Sequence, residues 1–121
     1  MRNTEKFRQL IERDKILPAI GGYDALSAKL IEQAGGEVVY MSGSSVSTTT
    51  HGYPDVGLTT MTEMVERARQ MVNVVDIPVF ADADTGYGNA LNVMRTIQEY
   101  ESAGVAGVHL ADQVCPKKCG H

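Results

Sequence analysis

Short apolar runs alternate along the chain with longer stretches in which apolar residues recur at helical spacing. The short runs predict four β-strands, at residues 19–22, 38–41, 79–81 and 105–110. The longer stretches predict helices that begin at Thr4 and after the capping residues Asp24, Thr60 and Asn89. The polar stretch 42–57, rich in Ser, Thr and Gly, predicts a loop. The predicted order is therefore a helix, then a strand and a helix three times over, then a strand.

Apolar positions three or four residues apart indicate which face of each predicted helix turns towards the core. The helix after Thr60 has the clearest periodicity of the four. The expected core-facing residues are Phe7, Leu10 and Ile11 in the first helix, Leu26, Leu30, Ile31 and Ala34 in the second, Met61, Met64, Val65, Ala68, Met71, Val72 and Val75 in the third, and Val93, Ile97 and Tyr100 in the fourth.

Strands that alternate with helices predict an α/β fold with a parallel sheet. Two architectures fit this order. One is an open, doubly wound sheet of the flavodoxin type. The other is the beginning of a (β/α)₈ barrel, which typically needs about 250 residues. The length of 121 residues by itself favours the open sheet, because only four strands are predicted.

Composition and charge exclude several classes of function. The chain carries 11 Lys and Arg against 15 Asp and Glu, a net charge of −4, and has no basic run for binding nucleic acid. No apolar stretch approaches the roughly 20 residues that span a bilayer. The N-terminal residues have no apolar segment behind their charges, so they do not resemble a secretory signal. We therefore expect a cytoplasmic protein that binds neither nucleic acid nor membrane, with reduced cysteines.

Polar residues gather where the predicted strands end, which is where α/β folds place their active sites. Asp82 and Asp84 follow the third strand, and on an extended segment residues two apart point to the same side. Two close carboxylates repel each other unless a cation lies between them, and oxygen ligands suit Mg²⁺ or Mn²⁺. The alternative is that one aspartate caps a turn while the other is solvated.

Four other features carry weaker signals. The segment 42–45, SGSS, either presents backbone N–H groups to a carboxylate or phosphate or is an ordinary loop. Cys119 has Lys118 and His121 nearby, so it is either an acid–base thiol or an incidental one. Cys115, beside a proline, is expected to be structural. His109 lies within an apolar strand and is expected to be a core histidine.

Five short segments stand in order along the chain: GYDALSA at 22–28, YMSG at 40–43, GYPDVG at 52–57, ADADTGYG at 81–88 and KKCGH at 117–121. Together they resemble the isocitrate lyase/phosphoenolpyruvate mutase superfamily, and in particular its 2-methylisocitrate lyase-like branch. The resemblance implies that residues 1–121 are the N-terminal half of a single (β/α)₈ barrel. It also implies a homotetramer and Mg²⁺-dependent chemistry on small dicarboxylates or tricarboxylates.

The resemblance assigns roles by position. It makes Asp82 and Asp84 metal-site carboxylates and Asp55 an acidic residue that reaches the metal through water. The implied substrate-binding residues are Tyr40, Ser42, Gly43, Ser44, Asp82 and Gly120. The implied catalytic residues, on a mobile loop, are Lys117, Cys119 and His121.

Within this resemblance, the Cys-Gly-His loop favours a carbon–carbon lyase that cleaves a 2-hydroxy acid to a 2-oxo acid and a carboxylate, since the phosphonate-forming mutases of the superfamily typically lack it. A carboxyphosphonoenolpyruvate mutase or an oxaloacetate hydrolase of the same superfamily is the alternative. One departure stands out, because the resemblance predicts Glu-Asp-Gln after the fourth strand and this chain has Ala111-Asp112-Gln113. Asp112 cannot replace the glutamate, since adjacent strand residues face opposite ways. Ala111, together with the end of the sequence at His121, leaves open the alternative that the protein is a truncated, inactive relative.

Overall fold

Four parallel strands form one sheet in the computed structural model, which describes residues 1–118. They are β1 (Ile20–Gly22), β2 (Val39–Met41), β3 (Val79–Asp82) and β4 (Gly107–His109). The strands lie in the sheet in chain order, with Gly21 opposite Tyr40, Tyr40 opposite Phe80, and Phe80 opposite Gly107. A doubly wound sheet reverses its strand order at a switch point, whereas a barrel wall adds strands in sequence. The progressive order is that of a barrel wall, so the open-sheet alternative is wrong.

Five helices accompany the sheet within the described residues: α1 (Asn3–Glu12), α2 (Ala25–Gln33), α3 (Gly43–His51), α4 (Met61–Val72) and α5 (Ala90–Ala103). The three predicted caps are confirmed. The side chains of Asp24, Thr60 and Asn89 each accept a hydrogen bond from a backbone N–H of the first turn that follows. These bonds satisfy N–H groups that have no partner inside the helix.

The core lies between one face of the sheet and three helices. Val39, Met41, Val79 and Ala81 point to this face and are 0–1% exposed. They pack in a single cluster with buried residues of α2, α4 and α5. The predicted face of α4 is confirmed in its buried members, Met64, Val65, Ala68 and Met71.

The predicted faces of the other three predicted helices are partly wrong. In α5, Tyr100 is buried as predicted but Ile97 is exposed. In α2, Leu26 and Leu30 are exposed, and the buried positions are Ala28 and Ile31. In α1, Ile11 is exposed and no residue is fully buried. The periodicity identified apolar positions correctly, but the contacts that would cover these side chains are not made within residues 1–118.

The stretch 42–57 is not the continuous loop that its composition predicts, because α3 occupies its first half. Ser42 caps the start of α3, and Gly52, with a φ of 69°, ends it in a left-handed conformation that glycine adopts without strain. Val46 and Ser47 are buried, and the Ser47 hydroxyl contacts that of Thr59 at 2.7 Å. Serine and threonine are weak helix formers, so these tertiary contacts outweigh local propensity.

The opposite face of the sheet is half-exposed and aromatic. The Tyr40 and Phe80 rings lie 5.4 Å apart, and Phe7 of α1 lies 5.4 Å from Phe80 on its other side. Helix α1 therefore covers the lower part of this face, below the carboxyl ends of the strands. In the described part of the chain, residues 1–118, no helix is long and apolar enough to cross a membrane.

Candidate active site

Asp82 is the last residue of β3 and Asp84 lies in the turn beyond it. The geometry differs from the extended segment that the sequence predicts, because Asp84 has a φ of 51°. Asp82 Oδ1 accepts a 2.8 Å hydrogen bond from the Asp84 backbone N–H, which holds this turn. Asp82 thus caps a turn, as one of the two alternatives from the sequence predicts. Asp84 is not solvated as that alternative also requires, since its side chain is only 16% exposed.

The second carboxylate oxygen of Asp82 is held by a neighbouring strand connection. Its Oδ2 atom accepts a 3.1 Å hydrogen bond from the backbone N–H of Gly43, the first residue of α3. A Cβ atom at Gly43 would overlap Asp82 Oδ2, so only glycine permits this close approach. The Tyr100 hydroxyl of α5 donates a 2.9 Å hydrogen bond to the Asp82 carbonyl oxygen. The structure therefore fixes Asp82 through both its side chain and its backbone.

Asp55, Asp84 and Lys117 form the strongest charge cluster of the described residues. Lys117 Nζ lies 2.9 Å from Asp55 Oδ1 and 2.8 Å from Asp84 Oδ1, and the lysine side chain is only 10% exposed. Burial by itself lowers the pKa of Lys117, but its bonds with Asp84 and Asp55 outweigh burial and raise that pKa above its usual value. Lys117 is thus a cation at neutral pH.

A cavity of about 410 Å³ opens beside this cluster, a size that suits a small organic acid. Six residues of the predicted site line it together: Tyr40, Ser42, Ser44, Asp55, Asp82 and Lys117. The lining also includes His109, Ala111 and Gln113, which the sequence does not assign to the site. Asp84 and Gly43 line an adjoining smaller cleft with Asp55, Asp82 and Lys117. Burial, reinforced by the negative charges of Asp82 and Asp55, raises the pKa of Tyr40 to about 12, so its hydroxyl stays protonated.

His109 is not a core histidine, and that expectation is wrong. Its side chain is 45% exposed, and Nδ1 lies 4.0 Å from Asp82 Oδ1 and 3.5 Å from the Tyr40 hydroxyl. The sequence does contain a signal that His109 faces the site. His109 lies two residues before Ala111, and residues two apart on an extended strand point to the same side. Cys115, expected to be structural, is exposed and lies 3.4 Å from the Thr85 hydroxyl.

Ala111 stands where the resemblance predicts a glutamate. The alanine lines the cavity together with Asp82 and Asp55, whereas Asp112 does not. The backbone N–H of Ala111 donates a 2.7 Å hydrogen bond to the Asp84 carbonyl oxygen, which places position 111 next to the acidic cluster. The inference that Asp112 cannot replace the missing carboxylate therefore agrees with the lining of the cavity.

The side chains at this site are of the chemical type that binds a divalent cation. Asp84 Oδ1 is buried and accepts no hydrogen bond of regular geometry from the described residues, so it depends on a cation for compensation. The available donors are carboxylate oxygens, which Mg²⁺ and Mn²⁺ prefer. No three acidic, His or Cys side chains of residues 1–118 converge closely enough to hold a metal ion as they stand. Lys117 occupies the space between two of the three aspartates.

Three of the predicted site residues, Cys119, Gly120 and His121, lie outside the described residues. The chain reaches the cavity immediately before them, since Lys117 lines it.

A larger groove, of about 620 Å³, lies between α1 and the amino ends of the strands. Its charged lining includes Arg13 and Glu37, which pair with each other at 2.8 Å. Active sites of parallel α/β folds lie at the carboxyl ends of the strands, so we place the site at the smaller, acidic cavity.

A family model described as phosphoenolpyruvate phosphomutase matches residues 7–120. The chain is 54% identical over 121 residues to a 2,3-dimethylmalate lyase of Eubacterium barkeri, covering 100% of this chain and 42% of that protein. It is 44% identical over 118 residues to a 2-methylisocitrate lyase of Halalkalibacterium halodurans, covering 98% of this chain and 39% of that protein.

Among solved structures, a phosphonopyruvate hydrolase complex with oxalate and Mg²⁺ superposes with a TM-score of 0.91 at 33% identity. The match covers 98% of this chain and 41% of that one. The chain thus spans about two fifths of the length of the proteins it matches.

Proposed function

The chain belongs to the phosphoenolpyruvate mutase/isocitrate lyase superfamily, and from that premise we propose that it forms part of a Mg²⁺-dependent carbon–carbon lyase. Its substrate would be a 2-hydroxy dicarboxylate or tricarboxylate, cleaved to a 2-oxo acid and a carboxylate. The relatives named as dimethylmalate and methylisocitrate lyases support this class of substrate. We keep the assignment of residues 1–121 to the N-terminal half of one barrel, and the homotetramer, as predictions.

One observation carries the proposal: three aspartates and a lysine from three segments of the chain line one small cleft, which adjoins the larger cavity at the carboxyl ends of the strands. Such a cluster is costly to fold, because each buried charge needs a partner. Asp82, Asp84 and Asp55 would hold the metal ion, which when bound would act as a Lewis acid on the substrate's α-oxygen. The solved relative that contains oxalate and Mg²⁺ supports the same pairing of a small acid with this ion.

The chain's own residues would bind and orient the acid. Ser42 and Ser44 lie at the amino end of α3 and line the cavity, where hydroxyl groups and the positive end of the helix favour a carboxylate. The protonated hydroxyl of Tyr40 can donate a hydrogen bond to a substrate oxygen. For Gly43 we propose a role in positioning Asp82, because its N–H donates a hydrogen bond to Asp82 Oδ2.

Cleavage requires one proton to leave and one to arrive. A base removes the substrate's hydroxyl proton, the C–C bond breaks as the carbonyl forms, and the departing carbanion takes a proton from the Cys119 thiol. In the metal-free structure Lys117 cannot act as that base, because both its neighbours are carboxylates and hold it as an ammonium group. We propose a positioning role for it in this state, and the catalytic role that the resemblance implies stays a prediction.

Turnover by the full-length protein with Mg²⁺ tests the proposal. We expect cleavage of 2-methylisocitrate, isocitrate or 2,3-dimethylmalate to a 2-oxo acid, measured by coupled reduction of that product. Hydrolysis of oxaloacetate, or conversion of a phosphonate, without C–C cleavage of any hydroxy acid would favour the hydrolase or mutase alternative. No turnover of any of these compounds, in a folded protein that binds Mg²⁺, would favour the inactive relative.

A further inference from the structure

Lys117 lies where a cation is needed to keep Asp55 and Asp84 together. The two carboxylates come from different parts of the chain, one from the connection between α3 and α4 and one from the turn after β3. Each places an oxygen less than 3 Å from the same ammonium nitrogen. Asp84 Oδ1 has no other compensation within residues 1–118, as its lack of a regular hydrogen bond shows.

We propose that Lys117 is the resident cation of the metal-free site, and that a divalent ion must displace its ammonium group from Asp55 and Asp84 in order to bind there. The inference rests on the proposed metal site. It gives Lys117 a defined function, because binding of the ion would release the segment that leads to Cys119 from the aspartates.

The argument for displacement is one of geometry and charge. Mg²⁺ binds oxygens at about 2.0–2.1 Å, so two ligand oxygens must approach more closely than an ammonium group placed between them allows. A bound dication would also repel the ammonium group at this distance, in a region where side chains are largely shielded from water. The two carboxylates can therefore bind either the ammonium group or the metal ion, but not both at once.

Calorimetric titration of the full-length protein with MgCl₂ provides the first test. In Lys117→Met we expect Mg²⁺ to bind about 10- to 100-fold more tightly, because binding no longer breaks the ion pairs of the lysine with Asp55 and Asp84. Lys118→Met is the matched control, since Lys118 is exposed, has the same charge and makes no ion pair with the described residues. Lys117→Gln provides a second variant if the methionine variant fails to fold.

Limited proteolysis supplies a readout that does not depend on affinity. Trypsin cleaves after a lysine only when its side chain is free to enter the protease, so Lys117 is a poor site while it is held by the aspartates. We expect Mg²⁺ to raise the ratio of cleavage after Lys117 to cleavage after Lys118, along the same titration curve as the calorimetry. A ratio unchanged at saturating Mg²⁺, or affinity in Lys117→Met no tighter than in Lys118→Met, would overturn the inference.

The two proposals fail in different ways. If wild type and Lys118→Met bind Mg²⁺ while Lys117→Met binds it equally well or less well, the displacement inference is wrong and the metal site stands. If none of the proteins binds Mg²⁺ or Mn²⁺, the proposed function is wrong as well.

Discussion

Replacing Gly43 with alanine should weaken Mg²⁺ binding without unfolding the protein. The new Cβ atom would overlap Asp82 Oδ2, so the carboxylate has to rotate away from the amide that now holds it at 3.1 Å. The other bond to Asp82, from the Asp84 N–H, is on the opposite oxygen and can persist. The substitution therefore disturbs the orientation of one proposed metal ligand and little else.

The size of the effect follows from the bond that is lost. A hydrogen bond to a charged group contributes about 1.5–3 kcal/mol, which corresponds to about 10- to 150-fold in affinity. The same bond also holds the metal-free fold, so thermal stability should fall by no more than the bond contributes. Metal affinity should thus fall in a protein that still folds.

The assay is calorimetric Mg²⁺ titration beside thermal unfolding followed by circular dichroism. Gly21→Ala is the matched control, since a Cβ atom at Gly21 meets nothing within 4 Å. We expect Gly21→Ala to bind Mg²⁺ as wild type does. The reasoning is refuted if a folded Gly43→Ala protein binds Mg²⁺ within about twofold of the Gly21→Ala protein, a difference too small for the loss of a charged hydrogen bond.

Three further substitutions test the remaining parts of the site. Asp82→Ala should abolish or strongly weaken Mg²⁺ binding, and unchanged affinity by calorimetry would remove Asp82 from the metal site. Ala111→Glu should tighten Mg²⁺ binding by about 10- to 100-fold, because outer ligands of a metal site typically contribute that much; equal affinity would mean that position 111 does not support the ion. Cys119→Ser should abolish carbon–carbon cleavage in the full-length protein while Mg²⁺ affinity stays unchanged, and turnover retained in that variant would exclude the thiol as the proton donor.

Local features of the fold were predictable because each depends on residues close together in the chain. A capping box such as Thr60 with Glu63 closes its two hydrogen bonds within three residues. The buried face of α4 follows from a spacing that any helix imposes. The placement of Asp82 at the end of a strand likewise follows from the apolar run before it.

The resemblance and the residues pointed to the carboxyl ends of the strands, where the structure brings several of the predicted residues together, but they did not predict the contacts among those residues. The apolar neighbours of His109 in sequence predict a core position, yet its side chain faces the site, opposite Asp82, which is 27 residues away in sequence on the adjacent strand. The left-handed conformation of Asp84 has no marker in a sequence that reads as extended. The resemblance predicts a substrate contact for Gly43, and only the structure shows that its N–H donates to Asp82.

By itself, the sequence determined the alternation of strands and helices, the caps, and the end of the sheet at which polar groups collect, since all of these arise from short-range hydrogen bonds and from periodicity. Only the tertiary structure decided that a Ser- and Thr-rich stretch forms α3 and that Lys117 lies between Asp55 and Asp84. Both depend on partners distant in the chain. Burial strengthens such contacts, and the sequence near a residue does not indicate which distant residue will contact it.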